Sequence, residues 1–385
     1  MTKREQYFAV AEGNKPVNMP FIPDITDWYN GNHTPPGQPR VNGPAVYVPD
    51  DDPVKLYDGT IPERFKGWSL MDFYRHFDWG FHAHIYDWLD VQYDNGVRYE
   101  KKQGDGAYTE FYHTPKGSIS RLSKLAADGT WCPIGFWIKE PDELAILSYV
   151  LESQYYNQKH DYVNWVLQGV GQQGEADLNI ARSPFGKIIH EWLGFENTTF
   201  AMMDYPEKIE DLLKLQYTKD REVIHLACES PARLVMISDH ADENLISPAW
   251  YEEYCIPFYR EAIEQLHGAN KIVSTHLDGN FKGFFGILDQ TGFDVLDGCT
   301  PAPMFNYEIE ELAAAMPEGM CAFVGVPSSL FCQKSVGMDV ICGLVDRILK
   351  AFAGRALINV GDILPPDGDI DKVIQFGEYV KSQYV

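Results

Sequence analysis

At 385 residues the chain exceeds one average domain but fits one large α/β barrel, and with 45% hydrophobic and 23% charged residues it can bury a large core, which excludes global disorder. Asp and Glu number 56 against 32 Lys and Arg, a balance of −24, so the surface repels phosphate backbones and anionic headgroups, and neither nucleic acid nor a membrane is expected as a partner. Seven cysteines, odd in number and without close pairing, do not read as a disulfide framework, and a cytoplasmic location is expected.

The first twenty residues are charged and amphipathic with no apolar signal core, and no later run of ~20 residues is free of charge or turn signals, so neither secretion nor membrane spanning is expected. The first half is irregular. Pro/Gly/Asp-rich stretches at 31–43 and 50–58 and strand-like segments at 97–102 and 108–113 predict a loop- and β-rich elaboration over 31–115. Aromatic residues crowd 68–112, which reads as core packing, with an aromatic pocket as the alternative. A GxGxxG match at Gly169–Gly174 runs into the polar Glu175-Ala-Asp-Leu-Asn179, and a chance match or a plain barrel loop explains it better than a nucleotide site.

From residue 233 onward, apolar β-rich runs alternate with helical patterns. Strands at 233–240, 271–278, 293–299, 321–326 and 356–362 precede helices at 248–267, 281–290, 307–316, 340–353 and 369–383. Five successive β/α units over 233–385 imply a parallel sheet, and with no repeat or linker in the chain a single (β/α)8 TIM-barrel domain over 1–385 is predicted. Function in such sheets sits at the carboxyl ends of strands, which places Asp239/His240, His276/Asp278, Asp297/Cys299 and Asp362 at the mouth.

Several segments taken together resemble the uroporphyrinogen decarboxylase superfamily. They are the opening Lys3–Pro20, Ser183-Pro-Phe185, Leu193-Gly194, Asp204-Tyr-Pro206, Ser238-Asp239, Ile246-Ser-Pro248, Pro257, His276-Leu-Asp-Gly279 and Val360-Gly-Asp-Ile-Leu-Pro-Pro366, in the family's order and spacing. The resemblance is good from Ser238 to the end, fair over 183–206 and sketchy over 50–162. That superfamily holds porphyrinogen decarboxylases and zinc methyltransferases that exchange methyl groups with corrinoid proteins, so the fold does not choose between them. The decarboxylases carry arginines after the first strand to hold propionates. Here that place reads Phe21-Ile-Pro-Asp-Ile-Thr-Asp-Trp28, with no Arg.

The methyltransferase branch implies zinc with three protein ligands and an open fourth position. His276 stands where the family commonly has His-x-Cys, but the Cys position is Asp278, and the family's late Cys falls near Asp362, so its thiolate pair is absent. The subfamily that demethylates phenyl methyl ethers has Glu-x14-Glu-x20-His, and counting back from His276 gives His240-x14-Cys255-x20-His276, which keeps the spacing with ligand types zinc accepts. Taken singly, His240 reads as a polar loop residue, Cys255 as a buried helical thiol and His276 as a hydrogen-bonded strand end. Glu243, Asp239 and Cys299 are reserve ligands. Asp278 and Asp362 orient ligands or handle a proton, or else cap helices. Asp24 and Trp28 contact substrate or serve the loop.

The resemblance implies demethylation of an aromatic methyl ether, with Zn2+ polarising the ether and the methyl group passing to the cobalt(I) corrinoid (cobalamin) of a separate corrinoid protein, and it suggests a homodimer. The alternatives are methylcorrinoid:thiol or folate methyl transfer on the same barrel, a uroporphyrinogen decarboxylase-like enzyme without metal, and a non-catalytic binding protein.

Overall fold

The computed structural model describes residues 1–14, 19–41, 47–48 and 59–383. The stretch at 50–58 and the end of 31–43, read above from composition, lie outside the described residues.

Thirteen strands occur among them. The first seven are β1 (Phe81–Ile85), β2 (Leu89–Tyr93), β3 (Arg98–Gly104), β4 (Ala107–Thr114), β5 (Gly117–Leu125), β6 (Trp131–Pro133) and β7 (Gln154–Gln158). The rest are β8 (Gly174–Asn179), β9 (Leu234–Ile237), β10 (Ile272–His276), β11 (Val295–Cys299), β12 (Cys321–Pro327) and β13 (Ala356–Gly361). Seven of these form one parallel sheet in the order β1-β8-β9-β10-β11-β12-β13. The gap between its two edges is closed by the segment 20–22: Ile22 N–H donates to Ile358 O, Ile358 N–H to Pro20 O, and Gly80 N–H to Phe21 O. A parallel sheet whose edges are joined has no free edge, and the architecture is the predicted TIM barrel.

All five C-terminal β/α units are present. Their strands are nearly continuous apolar runs because both faces are covered, the inner by the barrel interior and the outer by helices such as Ile256–Gly268, Met338–Phe352 and Ile370–Ser382. The helix Lys3–Ala11, capped by a Thr2/Glu5 capping box, plugs the amino end of the barrel. Its Tyr7, Phe8 and Val10 pack with Leu234, Ile272, Val295, Cys321 and Leu357, all at strand starts, and Arg4 Nε lies 2.7 Å from Glu175 Oε2. A floor sealed in this way leaves the carboxyl-end mouth as the open end.

The elaboration in the N-terminal half is an antiparallel sheet in the order β3-β4-β5-β6 and a β2–β7 pair. Trp137, Ile119 and Leu147 join this sheet to the helices Leu144–Glu152 and Pro206–Glu229 in a separate apolar cluster. The glycines at 169–174 connect the helix His160–Val170 to the start of β8, which places them at the amino end of the barrel, away from the mouth.

Gly174 shows how tightly β1 and β8 are paired: a Cβ there would run into the Phe81 carbonyl and come 2.8 Å from Phe81 N, backbone that cannot yield without breaking the ladder. Gly174→Ala is therefore expected to cost about 3 kcal/mol or more, read by urea unfolding. A loss below about 0.5 kcal/mol would show that the pairing is looser than this.

Candidate active site

Alternate side chains of each barrel strand point inward, and those at the carboxyl ends open onto the mouth. A cavity of about 380 Å³ lies there, and its walls include Asp24, His82, His84, His240, His276 and Asp362.

His276 is the last residue of β10. Its Nδ1 lies 2.7 Å from Oδ2 of Asp297, its partner in the register with β11. That bond fixes the ring and leaves Nε2 toward the cavity, 3.8 Å from Asp362 Oδ2. Gly298 (φ +72°) makes the approach possible, because a Cβ there would press on the imidazole at 3.0 Å.

His240 follows β9 in the left-handed region, with φ 47°, a conformation that costs a non-glycine residue about 1–2 kcal/mol. Its N–H donates to His276 O at 3.1 Å, and the two rings meet edge to face at 4.8 Å. Asp278 Oδ2 lies 4.0 Å from His240 Nδ1. His240, His276 and Asp278 thus bring one ligand atom each to within 4.8 Å of one another.

The site's electrostatics separate the two imidazoles. Burial, helped by the charges of His276, Arg182 and His190, lowers His240 to about 3, so its ring is neutral and ready to ligate. Burial would also lower His276, but the hydrogen bond and charge of Asp297, with Asp362 and Asp278 behind them, raise it to about 9. Asp297 is held well below the usual carboxylate range, since burial is outweighed by His276 and by the more distant His82 and His84. Asp362 is pushed up to about 6, first by burial and then, against the pull of His276, by Asp278, Asp297 and Asp24. Burial also raises Asp278.

Two imidazoles, one of them held by a carboxylate behind it, and a half-exposed aspartate form a donor set that fits zinc. The cavity supplies the open side. Neither Asp278 nor Asp362 caps a helix: the helices that follow them are entered through Phe281 and Asp369.

Cys255 does not stand with His240 and His276 in that group; Asp278 does. The helical run from Pro248 passes through a π-helical turn at Tyr251–Cys255, and the thiol ends fully buried, 3.6 Å from Ser183 Oγ. Burial and then the charge of Asp239 push this thiol well above the ordinary cysteine value, so the thiolate a metal needs is disfavoured. Cys255→Ser is expected to keep the bound metal. A cobalt(II)-substituted protein with a thiolate charge-transfer band that this variant abolishes would restore Cys255 to the site.

The reserve ligands are also engaged elsewhere. Asp239 accepts the Ser183 N–H and the Tyr259 hydroxyl, Glu243 accepts from Gly283 N–H and Asn306 Nδ2, and Cys299 is buried with its thiol toward Leu296 O. Trp28 is placed elsewhere too: it is buried edge-on against Phe73 and does not line the cavity, because the helix Thr26–Asn32 turns it into the core. Asp24 does line the cavity, with its carboxylate accepting from Thr26 N–H and Oγ1 and its own N–H held by Asn359 Oδ1.

A second group was missed in the sequence. His82 and His84, two apart on β1 and therefore on one face, both point at Oδ2 of Asp177 on β8, at 2.9 and 2.7 Å. The signal was there in Phe-His-Ala-His-Ile, an alternation of period two, but it stands inside the aromatic-rich stretch that reads as core.

Comparison with known proteins agrees with this architecture. A methyltransferase from Methanosarcina mazei superposes with a TM-score of 0.59 at 11% identity, covering 99% of this chain and 98% of that one, which shows a shared fold. A B12-independent methionine synthase from a Shewanella species is more distant, with a TM-score of 0.47 at 10% identity over 94% and 96% of the two chains. No curated protein matches in sequence. The model of the uroporphyrinogen decarboxylase (URO-D) family matches residues 187–383, more than half of the chain and all of its regular β/α units, and the protein belongs to that family.

Proposed function

We propose that this protein is a zinc-dependent methyltransferase that takes the methyl group of an aromatic methyl ether and passes it to the cobalt(I) corrinoid of a separate corrinoid protein. One observation carries the reading: His240 and His276, grouped with Asp278, line a cavity at the barrel mouth whose described walls contain no Arg or Lys. A porphyrinogen with its several carboxylates would need cations there, and about 380 Å³ is at the small end for ligand pockets, suited to a single substituted ring.

His240, His276 and Asp278 would hold the zinc, which when bound supplies Lewis acidity felt more strongly by the phenolate-like oxygen of the transition state than by the ether. Asp297 keeps His276 in one tautomer with Nε2 toward the cavity. Tyr86, exposed at the cavity wall, offers a ring against which a substrate ring can lie. Asp362, near 6, is suited to give a proton to the departing phenolate oxygen or to hold the phenol formed. The mouth stays open for a partner's corrinoid, the methyl acceptor.

The test combines the protein with a cobalt(I) corrinoid protein and a methoxylated phenol under anaerobic conditions and follows cobalt(I) absorbance. Loss of the cobalt(I) spectrum that depends on both donor and zinc is expected. If no methoxy-aromatic supports it while methylcobalamin and a thiol are consumed, methyl transfer runs the other way.

A further inference from the structure

We propose that His82, His84 and Asp177 form a second metal site across the same cavity, binding a divalent first-row transition metal of the zinc class. The proposal is independent of the methyl-transfer reading.

The placement is set by the barrel. β1 and β8 pair in parallel with His84 opposite Asp177, while β10 and β11, which carry His276 and Asp297, lie on the far side of the sheet order. His82 and His84 project from one strand face with ring centroids 4.7 Å apart, and one ligand atom from each lies within 4.8 Å of the others and of Asp177. The His82 ring is clamped by Phe323, stacked at 5.1 Å and 13°, and by Tyr7 at 5.6 Å, so packing rather than solvent fixes where Nε2 points.

The carboxylate points to a cation. Asp177 is fully buried, and while its Oδ2 is met by both His82 Nε2 at 2.9 Å and His84 Nδ1 at 2.7 Å, its Oδ1 has no hydrogen-bond partner. A buried carboxylate oxygen left bare carries a desolvation cost that native structures rarely tolerate. A metal removes that cost, displacing whatever protons lie between the two imidazoles and Asp177. The cavity also has an excess of acidic groups: Asp24, Asp27, Asp297 and Asp362 line it without a Lys or Arg among the described walls. Two imidazoles and one carboxylate suit zinc, cobalt or iron rather than magnesium or calcium.

Cobalt(II) is the probe. Protein stripped by a chelator is dialysed against Co2+, the bound metal is counted by elemental analysis, and its visible ligand-field absorption is recorded for the wild type, His276→Ala, His84→Ala and Asp177→Asn. The expected counts are about two per chain in the wild type and about one in each variant, with different residual spectra in His276→Ala and in the other two. A wild type that binds one cobalt, lost in His276→Ala but kept in His84→Ala and Asp177→Asn, overturns the proposal and leaves the first site standing. One cobalt lost in His84→Ala and Asp177→Asn but kept in His276→Ala supports it and removes the first site instead. Retained metal at the other site reports that a variant is folded. Should His84→Ala lose all cobalt, the near-isosteric Asp177→Asn decides: one cobalt supports the proposal, and two or none overturns it.

Discussion

Replacing His276 by Ala is expected to abolish zinc retention and methyl transfer together and to destabilise the protein. In the proposed zinc site the residue supplies one of three ligand atoms, and its other nitrogen is the hydrogen-bond partner of Asp297, which is buried. Its removal therefore leaves an open metal site and an uncompensated buried carboxylate, and breaking a buried pair from one side costs about 3–5 kcal/mol. Zinc content should fall below about a tenth of the wild-type value, and activity by about 10³ or more. Full zinc occupancy in this variant would overturn the assignment. Metal analysis and urea unfolding on the same preparation separate loss of the ligand from loss of the fold.

Asp297→Asn has the next largest expected effect, and it carries a sign in pH. The amide keeps the shape and still accepts from His276 Nδ1, but it removes the charge that raises His276 to about 9, so that value should fall toward the ordinary 6.5. Zinc affinity should drop about 10–100-fold, as for other carboxylates that stand behind a metal-binding histidine. In the metal-free protein, His276 is raised on folding, so its contribution is fully present below about pH 6.5 and is lost as pH rises through about 9. Asp297 is depressed on folding, so its contribution is present above about pH 4 and is lost as pH falls through its lower folded value. Chelated wild type should therefore be distinctly less stable to urea at about pH 9.5 than at about pH 6, and Asp297→Asn should show a smaller difference. Equal slopes in the two proteins would show that the pair does not control stability in this range.

The floor of the barrel bears on both experiments. The helix Lys3–Ala11 closes the amino end with Tyr7 and Phe8, so solvent and metal reach the histidines from the mouth. Variants at the mouth therefore leave the largest apolar contacts of the barrel untouched, and a metal-free protein should keep its fold.

How far the sequence alone determines this protein can be followed residue by residue. The five C-terminal strands were legible because parallel strands buried on both faces must be continuously apolar, and Leu-Val-Met-Ile at β9 or Ala-Leu-Ile-Asn-Val at β13 has few other readings. His240, His276 and Asp362 were legible because polar residues ending such a run lie at the carboxyl ends of the strands, whereas Asp239 and Cys299, which end runs in the same way, turn into the core. The closing segment 20–22 was not legible, being too short to show any period of its own; the family resemblance pointed only to a first strand near Pro20.

Tertiary structure decided the rest. Whether a helical residue such as Cys255 reaches the mouth depends on the rotation of its helix about its axis, and the single π-turn at Tyr251–Cys255, invisible in the pattern of apolar residues, sends the thiol to Ser183 instead. Trp28 likewise follows the direction of a seven-residue helix whose packing against Phe73 comes from 45 positions away. His82, His84 and Asp177 become one group only when β1 pairs with β8 across about ninety residues of inserted sheet and helix. Local sequence fixes which residues point inward along a strand, because that needs only the alternation of the backbone; which inward residues meet is set by strand order and register, and these are properties of the closed barrel.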